Sequence, residues 1–248
     1  MSTHTPAKPM RAAIFDVQIR KIMDIGIQET RHFELALPAG SVFQFEAGQF
    51  LNIMVPAAGA NPAFKRPYSI ASPPHWANRI DLCWKRIHGG KATEYLWGLK
   101  QGDTIKVQGP LGRFVLKRPL PKRIIFVSTG TGIAPFRSII AWLLEQEKPA
   151  IEIHNLFGNR YDEDILYLEE FESWAKKNPN FHNIFTVSRP KKWTGEKEYV
   201  QNLIKKYFPQ PDSTHIYICG LTKMIEEVVQ TATALGYAKD QIFYEKYD

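Results

Sequence analysis

Hydrophobic and polar positions keep a two-residue rhythm through the first half of the chain and then change it. Phe33, Leu35 and Leu37 fall on alternate positions, as do Ile80, Leu82 and Trp84, and then Ile105 and Val107. That period places one set of side chains on one face of an extended strand. Glycine and proline punctuate the runs at 38–40, 56–62, 73–74 and 109–112. Closely spaced strands with such turns predict a small antiparallel β-barrel, interrupted by one short helix over 93–99.

The second half alternates differently. Ile124-Ile125-Phe126-Val127 is a continuous apolar run. Phe136, Ile139, Ile140, Leu143 and Leu144 then recur at helical spacing. Strand-like runs follow at 151–157, 184–187 and 216–219, with helical stretches at 165–177 and 199–207. A last helix carries Met224, Ile225, Val228, Val229 and Ala232 on one face, and a strand over 241–245 ends the pattern. Alternating strands and helices predict an α/β domain, a parallel sheet covered on both sides. The basic, proline-containing segment 117–122 is the natural boundary. The expected organisation is a flexible N-terminus (1–10), a β-barrel domain (11–118) and an α/β domain (119–248).

Composition narrows the function classes. Of 248 residues, 44% are hydrophobic and 23% charged, an ordinary globular balance. No window approaches the ~20 apolar residues of a membrane span, and residues 1–10 lack the apolar core of a secretory signal. A cytoplasmic monomer is therefore expected. The net charge of +7 favours anionic partners. The charges are dispersed, however, with no basic stripe or nucleic-acid module, so nucleic acid is not an expected partner. Two distant cysteines, Cys83 and Cys219, cannot supply the four thiolates of an iron–sulfur cluster. The seven histidines show no ligand-like spacing, and no metal is expected.

Val127-Ser128-Thr129-Gly130-Thr131-Gly132-Ile133-Ala134-Pro135 follows the apolar strand and opens a helix. Glycines let backbone approach a ligand, Pro135 suits the first helical position, and a helix N-terminus presents free N–H groups to phosphate. The third glycine of a dinucleotide fingerprint is missing, and no Gly-Lys-Ser/Thr follows. Taken alone, the turn leaves nucleotide binding and an ordinary strand–helix connection both open.

The order of further motifs changes the picture. Arg66-Pro67-Tyr68-Ser69 is followed by Leu82-Cys83-Trp84-Lys85-Arg86, by Gly89-Gly90-Lys91-Ala92-Thr93 and by Gly109-Pro110-Leu111-Gly112. After the glycine turn come Ser188-Arg189, Gly195-Glu196-Lys197-Glu198-Tyr199-Val200-Gln201, Cys219-Gly220 and Glu245-Lys246-Tyr247. The series, over residues 14–247, resembles the ferredoxin–NADP reductase superfamily.

The resemblance implies a flavin-binding barrel followed by an NADP-binding domain, with FAD preferred over FMN. It implies that Arg66 meets the flavin's phosphates, with Pro67 beside it. Tyr68 would stack on the isoalloxazine ring and Ser69 would hydrogen-bond near N5. Cys83, Lys85 and the helix start Gly90, Lys91, Ala92 and Thr93 also fall in flavin-binding segments; a plain helix cap is the alternative for Thr93. Thr131, Gly132 and Pro135 would cradle NADP(H). Ser188, Arg189, Lys197 and Tyr199, with Gln201 in the same motif, would surround its 2′-phosphate and adenine. Cations and hydroxyl donors suit a dianionic phosphate, whereas NAD usually meets an acidic residue.

Cys219 and Gly220 would lie beside the nicotinamide, with Glu245 nearby and Tyr247 covering the other flavin face. Ser69, Cys219, Glu245 and Tyr247 are thus the candidate catalytic group. For Cys219 a small buried hydrophobe is the alternative, and for Tyr247 a structural strand end, because Asp248 follows where plant-type members end on the aromatic. The implied activity passes electrons from NADPH through FAD to a separate acceptor. An acidic ferredoxin or flavodoxin is expected; an oxygenase reductase component, a free flavin reductase and a non-catalytic electron-relay subunit are the alternatives.

Overall fold

The computed structural model describes residues 12–41, 43–59 and 63–247; the expected flexible N-terminus and Asp248 lie outside them. Six strands form an antiparallel sheet: β1 (Ala13–Ile25), β2 (Thr30–Ala36), β3 (Phe50–Val55), β4 (Phe64–Ser69), β5 (Arg79–Lys85) and β6 (Thr104–Leu111), in the order β4-β3-β6-β1-β2-β5. Helix α1 (Lys91–Trp97) follows β5, two residues earlier than the apolar spacing predicts. The sheet curls toward a barrel, but among the described residues its edges meet only where Ile70 bridges Leu82 and Ala71 N–H donates to Asp81 O at 2.8 Å.

Strand β5 shows how this sequence joins two domains. Ile80, Leu82 and Trp84 point into the barrel core with Val17, Ile19, Phe33 and Leu35. Asp81 and Cys83, on the opposite face, are also buried, and Cys83 joins the apolar cluster of the second domain. A strand buried on both sides has a core residue at nearly every position.

The second domain holds a parallel sheet of β7 (Arg123–Thr129), β8 (Glu152–Asn159), β9 (Phe181–Val187), β10 (Thr214–Gly220) and β11 (Ile242–Lys246), ordered β11-β10-β7-β8-β9. Its helices are α2 (Ile133–Trp142), α3 (Leu168–Lys177), α4 (Val200–Tyr207) and α5 (Thr222–Ala234). In β7, Ile124 and Phe126 pack toward α2, while Ile125 and Val127 pack toward α4 and α5. That two-sided burial is the doubly covered sheet the apolar run predicts.

Buried polar groups tie the domains together. From α2, Arg137 donates to Ala71 O (2.9 Å), Asp81 Oδ2 (2.9 Å) and both oxygens of Glu170 (2.6 and 2.8 Å). Asp81 also takes two bonds from Arg79, at 2.7 and 2.8 Å. Ser138 Oγ donates to Ser72 O at 2.7 Å, and Tyr167 Oη lies 2.8 Å from His32 Nδ1.

Candidate active site

The order of the parallel sheet reverses between β7 and β10, since the chain winds from β7 to β8 on one side and from β10 to β11 on the other. Such a switch point opens a crevice beyond the carboxyl ends of the two central strands. Gly130 lies there with φ +53 and open space where a Cβ would stand. A Cβ on Gly132 would lie 2.3 Å from Cys219 O, so only glycine lets this turn press against the end of β10. Helix α2 starts at Ile133, so Pro135 is its third residue and not its first. Its missing N–H still costs nothing, because first-turn amides have no intrahelical acceptor. Thr131 is half-buried at the crevice and Pro135 is buried behind it.

Period two carries the chemistry on β10 and β11. Cys219 and Glu245 pair across the two strands. Tyr217 and Cys219 join the apolar cluster that faces the barrel, with Phe243 and Tyr247 packed against it. Across the cleft, Ser69 at the end of β4 donates to Glu245 Oε2 at 3.4 Å. Burial pushes the Glu245 carboxyl pKa above its usual value, against the pull of the Ser69 hydroxyl. Burial, with the Glu245 charge beside it, also holds the Cys219 thiol protonated. A neutral, fully buried thiol is a packing and positioning group, since nucleophilic attack needs thiolate. Tyr247 donates its backbone N–H to Gly220 O at 2.9 Å, and its hydroxyl is buried without a hydrogen-bond partner beside Cys219, Ser69 and Glu245. The structure thus brings Ser69, Cys219, Glu245 and Tyr247 together.

The open seam between β4 and β5 lies on the barrel side. Continued past the Ile70–Leu82 bridge, the pairing would set Tyr68 against Trp84 and Arg66 against Arg86, but no ladder forms there. Arg66, Pro67 and the half-buried Tyr68 stand on one strand; exposed Lys85 and the start of α1 follow on the other. Burial pushes the Tyr68 pKa up to about 12, with Arg66 opposing, so the phenol stays neutral. The Thr93 hydroxyl accepts from Ile87 N–H at 3.0 Å and faces the Ile87 and Gly90 carbonyls at 3.0 and 3.1 Å. It closes the 87–90 loop; Gly90 is the helix cap. The donors left for a phosphate are the first-turn amides of Lys91, Ala92 and Thr93. Cys83 stands apart, its thiol turned toward Tyr167 and Arg137 between the domains.

On the dinucleotide side, Ser188, Arg189, Lys197 and Tyr199 are all exposed around the ends of β9 and α4. Thr186 bridges Glu196, which holds the 193–198 loop against β9. Gln201 is committed to Glu227 Oε2 at 2.8 Å. The sequence reading missed Arg160: Arg189 N–H donates to Arg160 O at 2.8 Å, which sets two arginines side by side past β8 and β9. A basic residue just past a strand was its only sequence signal. A second correction concerns the histidines, because β8 and β9 bring His154 and His182 together beside Glu152. The residues fit both cofactors: an open, cation-lined seam for a flavin nucleotide, and a glycine turn at the start of α2 for a dinucleotide.

A flavin seam facing a dinucleotide crevice defines a two-domain oxidoreductase. Residues 16–116 match the oxidoreductase FAD-binding domain model, and residues 126–230 match the oxidoreductase NAD-binding domain model. Ferredoxin–NADP reductase B of Sorangium cellulosum is 36% identical over 217 residues, covering 84% of this chain and 88% of that protein. The toluate 1,2-dioxygenase electron transfer component of Pseudomonas putida is 30% identical over 86% of this chain, which spans 62% of that longer relative. The structure of a ferredoxin NADP+ reductase from Neisseria gonorrhoeae with bound FAD and NADP shares the fold at TM-score 0.82 and 22% identity, covering 94% of this chain and 98% of that one. The chain belongs to the ferredoxin–NADP reductase-like family of flavin oxidoreductases. No helix among the described residues is long and apolar enough to cross a membrane.

Proposed function

We propose that this enzyme oxidises NADPH through bound FAD and delivers the electrons to a separate acidic carrier protein of the ferredoxin or flavodoxin type. The observation that carries the reading is the Ser69–Glu245 hydrogen bond beside Cys219, which faces the barrel seam toward the dinucleotide crevice. FAD, when bound, accepts a hydride and releases electrons singly. Arg66 and the α1 amides hold its phosphates, and Tyr68 and Ser69 fix its ring. Cys219 and Gly220 shape the nicotinamide pocket, and Tyr247 moves out of it to admit the ring. Glu245, its carboxyl pKa raised by burial, would accept the Ser69 hydroxyl's hydrogen bond beside the ring.

NADPH is favoured over NADH by Arg160, Arg189 and Lys197. The acidic residues nearby are already committed. Asp162 accepts the Lys191 and Lys192 amides at 3.2 and 2.6 Å, Glu163 pairs with Lys191 at 3.3 Å, and Asp164 accepts Ile27 N–H at 3.1 Å. Glu198, beside Lys197, accepts from the Asn202 amide at 2.9 Å, so each of these carboxylates already has a partner.

The net charge of +7 steers an acidic carrier toward the protein. NADPH-driven rates with an acidic ferredoxin, a flavodoxin, free flavins and a dioxygenase component test the acceptor. The reading expects the ferredoxin or flavodoxin rate to lead and to fall with added salt. A leading, salt-insensitive rate with free flavin would refute it.

A further inference from the structure

We propose that Glu152, His154 and His182 form a binding site for a zinc-type divalent ion, at the end of the parallel sheet opposite the nucleotide crevice. His154 and His182 are direct partners in the β8–β9 ladder. Their rings stack with centroids 4.8 Å apart and planes inclined by 25°. Glu152 lies two residues before His154 and therefore on the same face of β8. Its Oε2 stands 3.0 Å from His182 Nε2 and 3.8 Å from His154 Nε2. One ligand atom from each residue lies within 4.8 Å of the others.

The donor set is chemically specific. Two imidazole nitrogens and one carboxylate oxygen make the three-protein-ligand set of an open tetrahedral zinc site, with a fourth place for water. Imidazole also suits nickel and copper, whereas magnesium and calcium prefer all-oxygen sites. Bonds of about 2.0–2.2 Å place neighbouring donors roughly 3.3 Å apart, and the 3.0 and 3.8 Å contacts of Glu152 Oε2 already lie near that spacing. His154 Nδ1 is buried and has no hydrogen-bond partner, so the ring is not held in one tautomer by the protein. Arg123, which pairs with Glu152 in the β7–β8 ladder, is the nearby charge that opposes a cation. The Glu152 carboxylate offsets it.

The site stands away from the cleft, because Gly158, at the crevice end of β8, is four residues beyond His154, about 13 Å along a strand. A bound ion would clip edge strand β9 to β8. Isothermal titration of the flavin-loaded protein with zinc chloride in a non-chelating buffer tests this. One zinc per chain is expected, with affinity at least about tenfold weaker in His182→Ala and in Glu152→Gln. Exposed His88, which pairs with Glu29, serves as the control, and His88→Ala should bind zinc as the wild type does. Glu152→Gln alters a surface side chain and keeps the test valid if His182→Ala does not fold. No saturable binding, or equal affinity in the wild type and both ligand variants, would overturn the proposal.

Discussion

Replacing Arg137 by methionine keeps most of the side-chain volume and deletes the charge that joins the domains. The guanidinium is 5% exposed; its partner Asp81 is fully buried and its partner Glu170 is 28% exposed. Removing one member of a buried ion pair costs about 3–5 kcal/mol, because the other is left uncompensated. Here Asp81 keeps Arg79, with His32 Nε2 3.5 Å away, and water reaches Glu170, so the lower end, about 3 kcal/mol, applies. For a chain of this size each kcal/mol moves Tm by about 2–4 °C, so R137M should melt about 6–12 °C below the wild type in calorimetry. The double variant D81N/R137M should lose less than the sum of the two single variants.

Acid adds a sign. Burial alone raises the Asp81 pKa, but His32 close by, the hydrogen bonds from Arg79 and the Arg137 charge outweigh it and hold it well below the usual carboxylate range. A depressed pKa contributes stability above the unfolded-state value that is lost as pH falls toward the folded one. The gap between wild type and R137M should therefore narrow in acid. An R137M protein melting within about 2 °C of the wild type at neutral pH would refute this account of the interface.

Three further results are expected. Arg189→Ala should raise the KM for NADPH about tenfold, equivalent to about 1.4 kcal/mol, and leave NADH unchanged; equal losses with both nucleotides would contradict the phosphate contact. The Glu245 carboxyl, its pKa raised by burial, keeps its proton to higher pH than an ordinary carboxyl. NADPH turnover should therefore show a limb above the usual carboxylate pKa that Glu245→Gln abolishes; superimposable kcat profiles would exclude the assignment. The same raised pKa means that the contribution of Glu245 to stability is complete below its unfolded pKa and is lost as pH rises through the folded one, a trend that Tm against pH should show in the wild type and not in E245Q.

The parts of this fold legible in the sequence are those with strong periodicity. Ile124–Val127 reads as a doubly buried strand because both of its faces meet apolar clusters. Strand β1 alternates Phe15, Val17 and Ile19 with Asp16, Gln18 and Arg20, but the register shift between Ile19 and Lys21 breaks that rhythm midway along the strand. The Ser69–Glu245 contact joins residues 176 apart and follows from the order of motifs, not from any local spacing. Arg137 sits among apolar residues of α2, and nothing in its segment announces the carboxylates of β5 and α3 that hold it. Arg160 and the His154–His182 pair depend on which strands lie side by side in the sheet, and strand order is a property of the whole domain.

The most direct measurement is anaerobic titration of the FAD-loaded protein with NADPH and, separately, with NADH, followed in the visible flavin band. The account predicts complete bleaching by NADPH at concentrations well below those NADH requires. A protein that holds FAD and stays yellow with either nucleotide would contradict it.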